Sequence, residues 1–94
     1  MKRDEAKLML LDVLLGMDLI TPEEKGAALQ SEARDIQLGE LGIDSMAVVD
    51  LCMGVEEKTG RELRVEEIID NPTIDQLAGY LAARQLDIGS ISKG

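Results

Sequence analysis

The chain has 94 residues, with ten Lys and Arg against nineteen Asp and Glu, a formal net charge of −9, no His, one Cys and one aromatic residue, Tyr80. That length supports a single hydrophobic core, which must be built from Leu, Ile, Val, Met and Ala and so suits packed helices better than sheets. A domain this acidic repels nucleic-acid backbones and anionic membrane surfaces, and without His it can assemble no Ser-His or Cys-His nucleophile pair.

One Cys and no His also argue against a structural zinc site, and no window offers the alternating acids and glycine of a calcium loop. Met1-Lys2-Arg3-Asp4-Glu5 opens a polar helix rather than a signal peptide. No apolar run approaches the length of a membrane span, so the expected location is the cytoplasm.

The first periodic segment runs from about Asp4 to Leu15. Leu8, Leu11 and Leu15 fall at helical spacing, Leu10, Val13 and Leu14 widen the apolar face, and Gly16 follows as a stop. A long connection from Gly16 to Ile43 comes next. Within it, Thr21-Pro22-Glu23-Glu24 reads as an N-cap, a proline at the first helical position and a capping-box acid, predicting a short helix from Pro22 to about Gln30. Ile36, Leu38 and Leu41 are expected to pin the rest of this loop to the core.

The second long helix is predicted to start at Asp44-Ser45 and run to Thr59, where Gly60 supplies a left-handed C-terminal residue. Arg61 to Val65 reads as an extended link, and Glu66 to Asp70 as one helical turn ended by Asn71-Pro72. Thr73 caps a last helix, with Gln76 as its box partner and Ile74, Leu77, Ala78 and Leu81 on one face. From Asp87 onward Gly, Ser and Lys dominate. The expected organisation is one domain, a helical bundle over 1–86, and a flexible tail over 87–94. The fold class is all-α, a small bundle of three to four helices with a long first loop.

The stretch Leu41-Gly42-Ile43-Asp44-Ser45-Met46 says something more specific. A serine just after a helix N-cap holds its hydroxyl at the positive end of the helix. A phosphodiester on that oxygen would meet free backbone N–H donors and a favourable dipole. Gly42 is expected to keep the approach uncluttered, and Asp44 adds a carboxylate within reach of a metal-dependent modifying enzyme. Taken alone, a serine at this position equally well caps the helix itself.

The hexapeptide resembles the phosphopantetheine attachment motif of acyl and peptidyl carrier proteins, usually Leu-Gly-x-Asp-Ser-Leu. The likeness continues through Val49-Asp50-Leu51, Val55-Glu56-Glu57-Lys58-Thr59-Gly60, Leu63-Arg64-Val65, Asn71-Pro72-Thr73-Ile74 and Leu77-Ala78-Gly79-Tyr80-Leu81. It covers about Leu8 to Arg84. Met46 replaces the usual Leu, a nearly volume-conserving change, and Thr59 stands where many members place an aromatic residue. The resemblance implies a bundle of acyl-carrier-protein type and a 4′-phosphopantetheine arm, transferred from coenzyme A to Ser45 by a separate phosphopantetheinyl transferase. The arm's thiol would hold cargo as a thioester. The chain itself would be no enzyme, with no catalytic residue and no metal.

Met46, Val49 and Met53 form one stripe on the second long helix, and Leu51, Cys52 and Val55 form another. A small bundle buries one face of a helix, so one stripe is expected to stay exposed, and the stripe beside Ser45 suits partner docking. From Asp35 to Asp75 there are eleven acids and three bases, so eight of the nine net negative charges lie in that stretch. Asp44, Asp50, Glu56, Glu57, Glu66, Glu67 and Asp70 would there steer partners bearing a basic patch, such as an acyl or aminoacyl ligase, a transferase or a synthase. Solvated surface is the bland alternative. Cys52 reads as a core residue and Tyr80 as packing with its hydroxyl outward.

The expected function is a freestanding, monomeric carrier for fatty-acid, polyketide or peptide-type biosynthesis, since both ends of the chain lie close to the bundle. Asn71-Pro72-Thr73 resembles carriers of polyketide and peptide assembly lines. The alternative is an unmodified adaptor that binds a basic helix on the Met46-Val49-Met53 stripe.

Overall fold

Short end signals set the helix boundaries. In the computed structural model, which describes residues 2–30 and 34–93 and side chains as far as Arg84, α1 spans Arg3–Gly16 and α2 spans Pro22–Ala28. α3 spans Ser45–Thr59, α4 Val65–Asp70 and α5 Ile74–Lys93, and a single 3-10 turn covers Leu38–Leu41. Among the described residues no strand forms, only an isolated bridge between Gln37 and Thr73. The chain is a small all-α bundle with a long first connection, and no described helix is long and apolar enough to cross a membrane.

The capping box at α2 is complete. Thr21 Oγ1 accepts the Glu24 N–H at 3.1 Å, and the Glu24 carboxylate accepts the Thr21 N–H at 2.9 Å. At α5 only the Thr73 half of the expected box forms, with Thr73 Oγ1 accepting the Gln76 N–H at 3.1 Å. The other free donors are met from the first connection. Asp35 Oδ1 accepts the Asp75 N–H at 3.0 Å, and the Ile36 carbonyl accepts the Ile74 N–H at 2.9 Å. The Leu38 N–H then donates to the Pro72 carbonyl. These bonds tie the loop across the start of α5, with Leu38 buried and Ile36 and Leu41 partly buried beneath it.

The α5 backbone stays helical past Leu86, where the tail was expected to begin, and continues to Lys93. No proline interrupts it, and a lone glycine such as Gly89 costs a helix only about 1 kcal/mol.

The core is aliphatic throughout. Leu10, Leu11 and Leu14 of α1, Leu51 and Val55 of α3 and Ile74, Leu77 and Leu81 of α5 are its largest fully buried side chains. α1 lies against both α5 and α3. Its buried face is Ala6, Leu10, Leu11, Val13 and Leu14, whereas Leu8 is exposed and Leu15 half-buried. Spacing alone picked out Leu8, Leu11 and Leu15. Apolar residues run almost around this helix, so the neighbours decide which of them are covered.

The approach of α1 to α3 depends on Gly54. A Cβ built there would lie 2.5 Å from Val13 Cγ1, well inside contact distance. Val13 is buried, and a β-branched side chain in a helix has essentially one rotamer, so it cannot swing aside. Gly54→Ala should therefore destabilise the fold by about 1 kcal/mol, the cost of overpacking outweighing the gain in helix propensity. Chemical denaturation checks this. Adding Val13→Ala should make Gly54→Ala neutral or stabilising in that background, and additive losses would refute the contact.

Candidate functional site

Ser45 is the first residue of α3 and is exposed. The serine does not cap the helix. Asp44 is the N-cap, and its Oδ1 accepts the Ala47 N–H at 2.8 Å. The Asp44 carbonyl accepts the Val48 N–H at 2.9 Å. With Ala47 and Val48 satisfied, the Ser45 and Met46 amides are the donors left over at this helix start. The bland role open to a helix-start serine is thus filled by its neighbour. A phosphate group attached at Ser45 Oγ would sit beside two unpaired N–H groups and the positive helix end, which fits the chemistry of a phosphodiester.

Gly42 is required by the backbone. A Cβ there would meet nothing within 4 Å, so no close packing demands glycine. Its φ of 71° and ψ of 27° are left-handed, a conformation that costs L-residues roughly 1–2 kcal/mol. This turn ends the 3-10 segment and swings the chain through Ile43, half-buried in the core margin, into the α3 cap.

Along α3 the two apolar stripes separate cleanly. Leu51, Cys52 and Val55 are buried, while Met46 is 76% exposed, Val49 47% and Met53 61%. α4 extends this surface with exposed Val65 and Ile69. Val49, Met53, Leu63, Val65 and Glu66 line an open groove of about 470 Å³ between α3 and α4. Glu56 joins Met53 at the C-terminal end of α3, beside Gly60.

The acidic residues do not all gather on that side. Asp50 and Glu57 line a separate groove of about 590 Å³ against Gly16 at the end of α1 and Met17 just after it, shared with Lys58. Thr59 makes a local closure, donating to the Val55 carbonyl at 2.8 Å and accepting the Arg61 N–H at 3.2 Å.

Glu67 is turned inward. One carboxylate oxygen accepts the Arg64 N–H at 2.8 Å, and the other accepts from the Tyr80 hydroxyl and from Arg84 Nη1 at 2.8 Å. Its side chain is only 19% exposed. Tyr80 accordingly points its hydroxyl into this cluster rather than outward, and the Arg84 guanidinium lies 5.8 Å from the tyrosine ring centre. Burial alone would push the Glu67 carboxyl up, but the hydrogen bonds from Tyr80, the Arg64 amide and Arg84 outweigh it and hold the group below the usual carboxylate range. The same bond, with burial, pushes the Tyr80 phenol up. Sequence spacing gave no reason to separate Glu67 from Glu66. The signal available was its position three residues after Arg64, the N3 place of a capping box.

Cys52 closes the arrangement from α3. Burial pushes its thiol up, and the Glu67, Glu66 and Glu56 charges add to that. A thiol held protonated is a poor nucleophile. Alkylation of Cys52 by iodoacetamide at pH 7.5 should run more than about tenfold slower in the folded chain than in denaturant. Equal rates would show an accessible thiolate and a wrong placement.

A family model described as "Phosphopantetheine attachment site" matches residues 26–81. A nonribosomal peptide synthetase of Gibberella zeae is 41% identical over 46 residues, 49% of this chain and 1% of that protein. A non-reducing polyketide synthase of the same organism is 32% identical over 69 residues, 73% of this chain and 3% of the relative. Another, from Hypomyces subiculosus, is 31% identical over 61 residues, 64% of this chain and 3% of the relative. The chain thus corresponds to a few per cent of the length of these relatives, and no solved structure matches it significantly. A family match spanning more than half the chain, over the segment that holds the exposed Ser45, the Asp44 cap and all of α3, places the protein among the phosphopantetheine-binding carrier domains, which hold 4′-phosphopantetheine covalently.

Proposed function

We propose that Ser45 is the attachment point and that the chain presents cargo, held as a thioester on the arm's terminal thiol, to partner enzymes of peptide- or polyketide-type assembly. The observation that carries the assignment is the division of labour at the start of α3: Asp44 caps the helix and leaves the Ser45 hydroxyl exposed and unspent. The relatives, a peptide synthetase and two polyketide synthases, support the assembly-line reading, in keeping with Asn71-Pro72-Thr73.

A phosphopantetheinyl transferase supplies the arm in this reading. The chain needs no base of its own, because the transferase activates the serine. The partners carry basic patches, and the exposed acids Asp50, Glu56, Glu57 and Glu66 raise their encounter rate by long-range attraction. Such steering serves a freestanding carrier that meets each partner by diffusion in the cytoplasm. Met46, Val49 and Met53, with Val65 and Ile69, form the apolar contact once the partner arrives.

Incubation with coenzyme A and a broad-specificity phosphopantetheinyl transferase, read by intact mass, should add one pantetheine phosphate to the wild type and none to Ser45→Ala. A folded wild type left unmodified by several such transferases would instead favour the unmodified adaptor. The docking face has its own test. Met53→Ala should raise KM for the transferase or a partner about tenfold or less with kcat little changed, since truncating one interface side chain costs about 1 kcal/mol. Glu56→Lys should weaken binding at low salt and lose its effect as ionic strength rises. Salt-independent effects would remove the steering role.

A further inference from the structure

We propose that Glu67 is a positioning residue: with Tyr80 and Arg84 of α5 it forms a latch that holds α4 in place, and so fixes the Val65–Ile69 half of the docking face. The inference deepens the carrier reading and rests on it for its functional consequence. α4 is six residues long, far below the length at which an isolated helix persists in water. Its placement must come from tertiary ties, yet only Ile68 among its side chains is buried, and Ile69 is 67% exposed.

The polar ties converge on Glu67. Its side chain caps α4 through the Arg64 N–H and reaches α5 through Tyr80 and Arg84, while its carbonyl accepts from Asn71 Nδ2 at 2.8 Å. The Arg84–Tyr80 stacking keeps both α5 partners oriented. One side chain thus joins the start of α4 to the middle of α5. The remaining charged neighbours, Glu66 and Glu56, lie near enough to act on Cys52 but bear no hydrogen bond in the cluster. Releasing the latch frees α4 to pivot on Ile68, which changes the width of the groove between Val49, Met53 and Val65 without unfolding the bundle.

Tyr80→Phe removes one hydroxyl and leaves the ring, and Glu67→Gln keeps shape while removing the charge that Arg84 needs. In both variants amide hydrogen exchange at Ile68–Asn71 should speed up about tenfold, the worth of a hydrogen bond to a charged group. Amides of α1 and of Leu77–Leu81 should change little. With the transferase, KM should rise at unchanged kcat. Unchanged exchange at α4 in both variants would overturn the latch, and so would equal acceleration in all helices, which marks loss of general stability. The two variants control for each other, since the hydroxyl deletion disturbs packing least. Failure of the carrier reading is read separately: a wild type that takes no arm at Ser45 refutes that reading, while α4 exchange still judges the latch.

Discussion

An aliphatic core with a single aromatic residue can only be closed by bringing helix backbones near one another, and the contact of Val13 with Gly54 is where that happens. Leu and Val side chains are short, so interhelical distance must be small for them to interdigitate at the density of a protein interior. Gly54 lets α1 settle onto α3 along one face. That face is consumed by Leu51, Cys52 and Val55, and α1 spends its other side on α5. Among the described residues, no helix covers the opposite face of α3, with Met46, Val49 and Met53. The exposed stripe beside Ser45 is therefore a consequence of how few helices the bundle has.

The same economy governs the helix ends. α3 needs its first donors satisfied, and Asp44 does this from the N-cap, one residue before Ser45. Had Ser45 capped the helix, its hydroxyl would be tied to a backbone N–H and turned from solvent. Gly42, in a left-handed turn, delivers the chain to that cap at the required angle. Three consecutive structural decisions, a turn, a half-buried Ile43 and a cap, leave one hydroxyl free at the electropositive end of α3.

Much of this was legible in the sequence because its signals are local. The Thr21-Pro22-Glu24 box, the Asp44 cap and the Gly60 stop each act within a few residues, and each helix begins or ends where they stand. What spacing missed acts at a distance. Asp35 caps α5 from forty residues away by accepting the Asp75 N–H, a bond that no local spacing announces. On α1, Leu8 has the right period but faces solvent, because the placement of α3 and α5 decides which of its apolar sides is inside. Glu67 stands at the N3 place after Arg64, which marks its capping bond, but nothing local in the sequence brings Tyr80 and Arg84 to its other oxygen.

Separating Glu67 from the other acids also alters how the charge of the chain should be understood. Asp50, Glu56, Glu57 and Glu66 remain exposed, hold no hydrogen bond to a neighbouring helix and keep their full field for approaching molecules. Glu67 spends its charge on α5. An acid used for steering must stay solvated and mobile, since its benefit is long range and screened by salt. An acid used for positioning must be partly buried and saturated with donors, because an unpaired charge at that depth would cost more than it returns. The two uses exclude one another at a single carboxylate. The run Glu66-Glu67 holds one of each, and adjacent helical positions, about 100° apart, are what allow it.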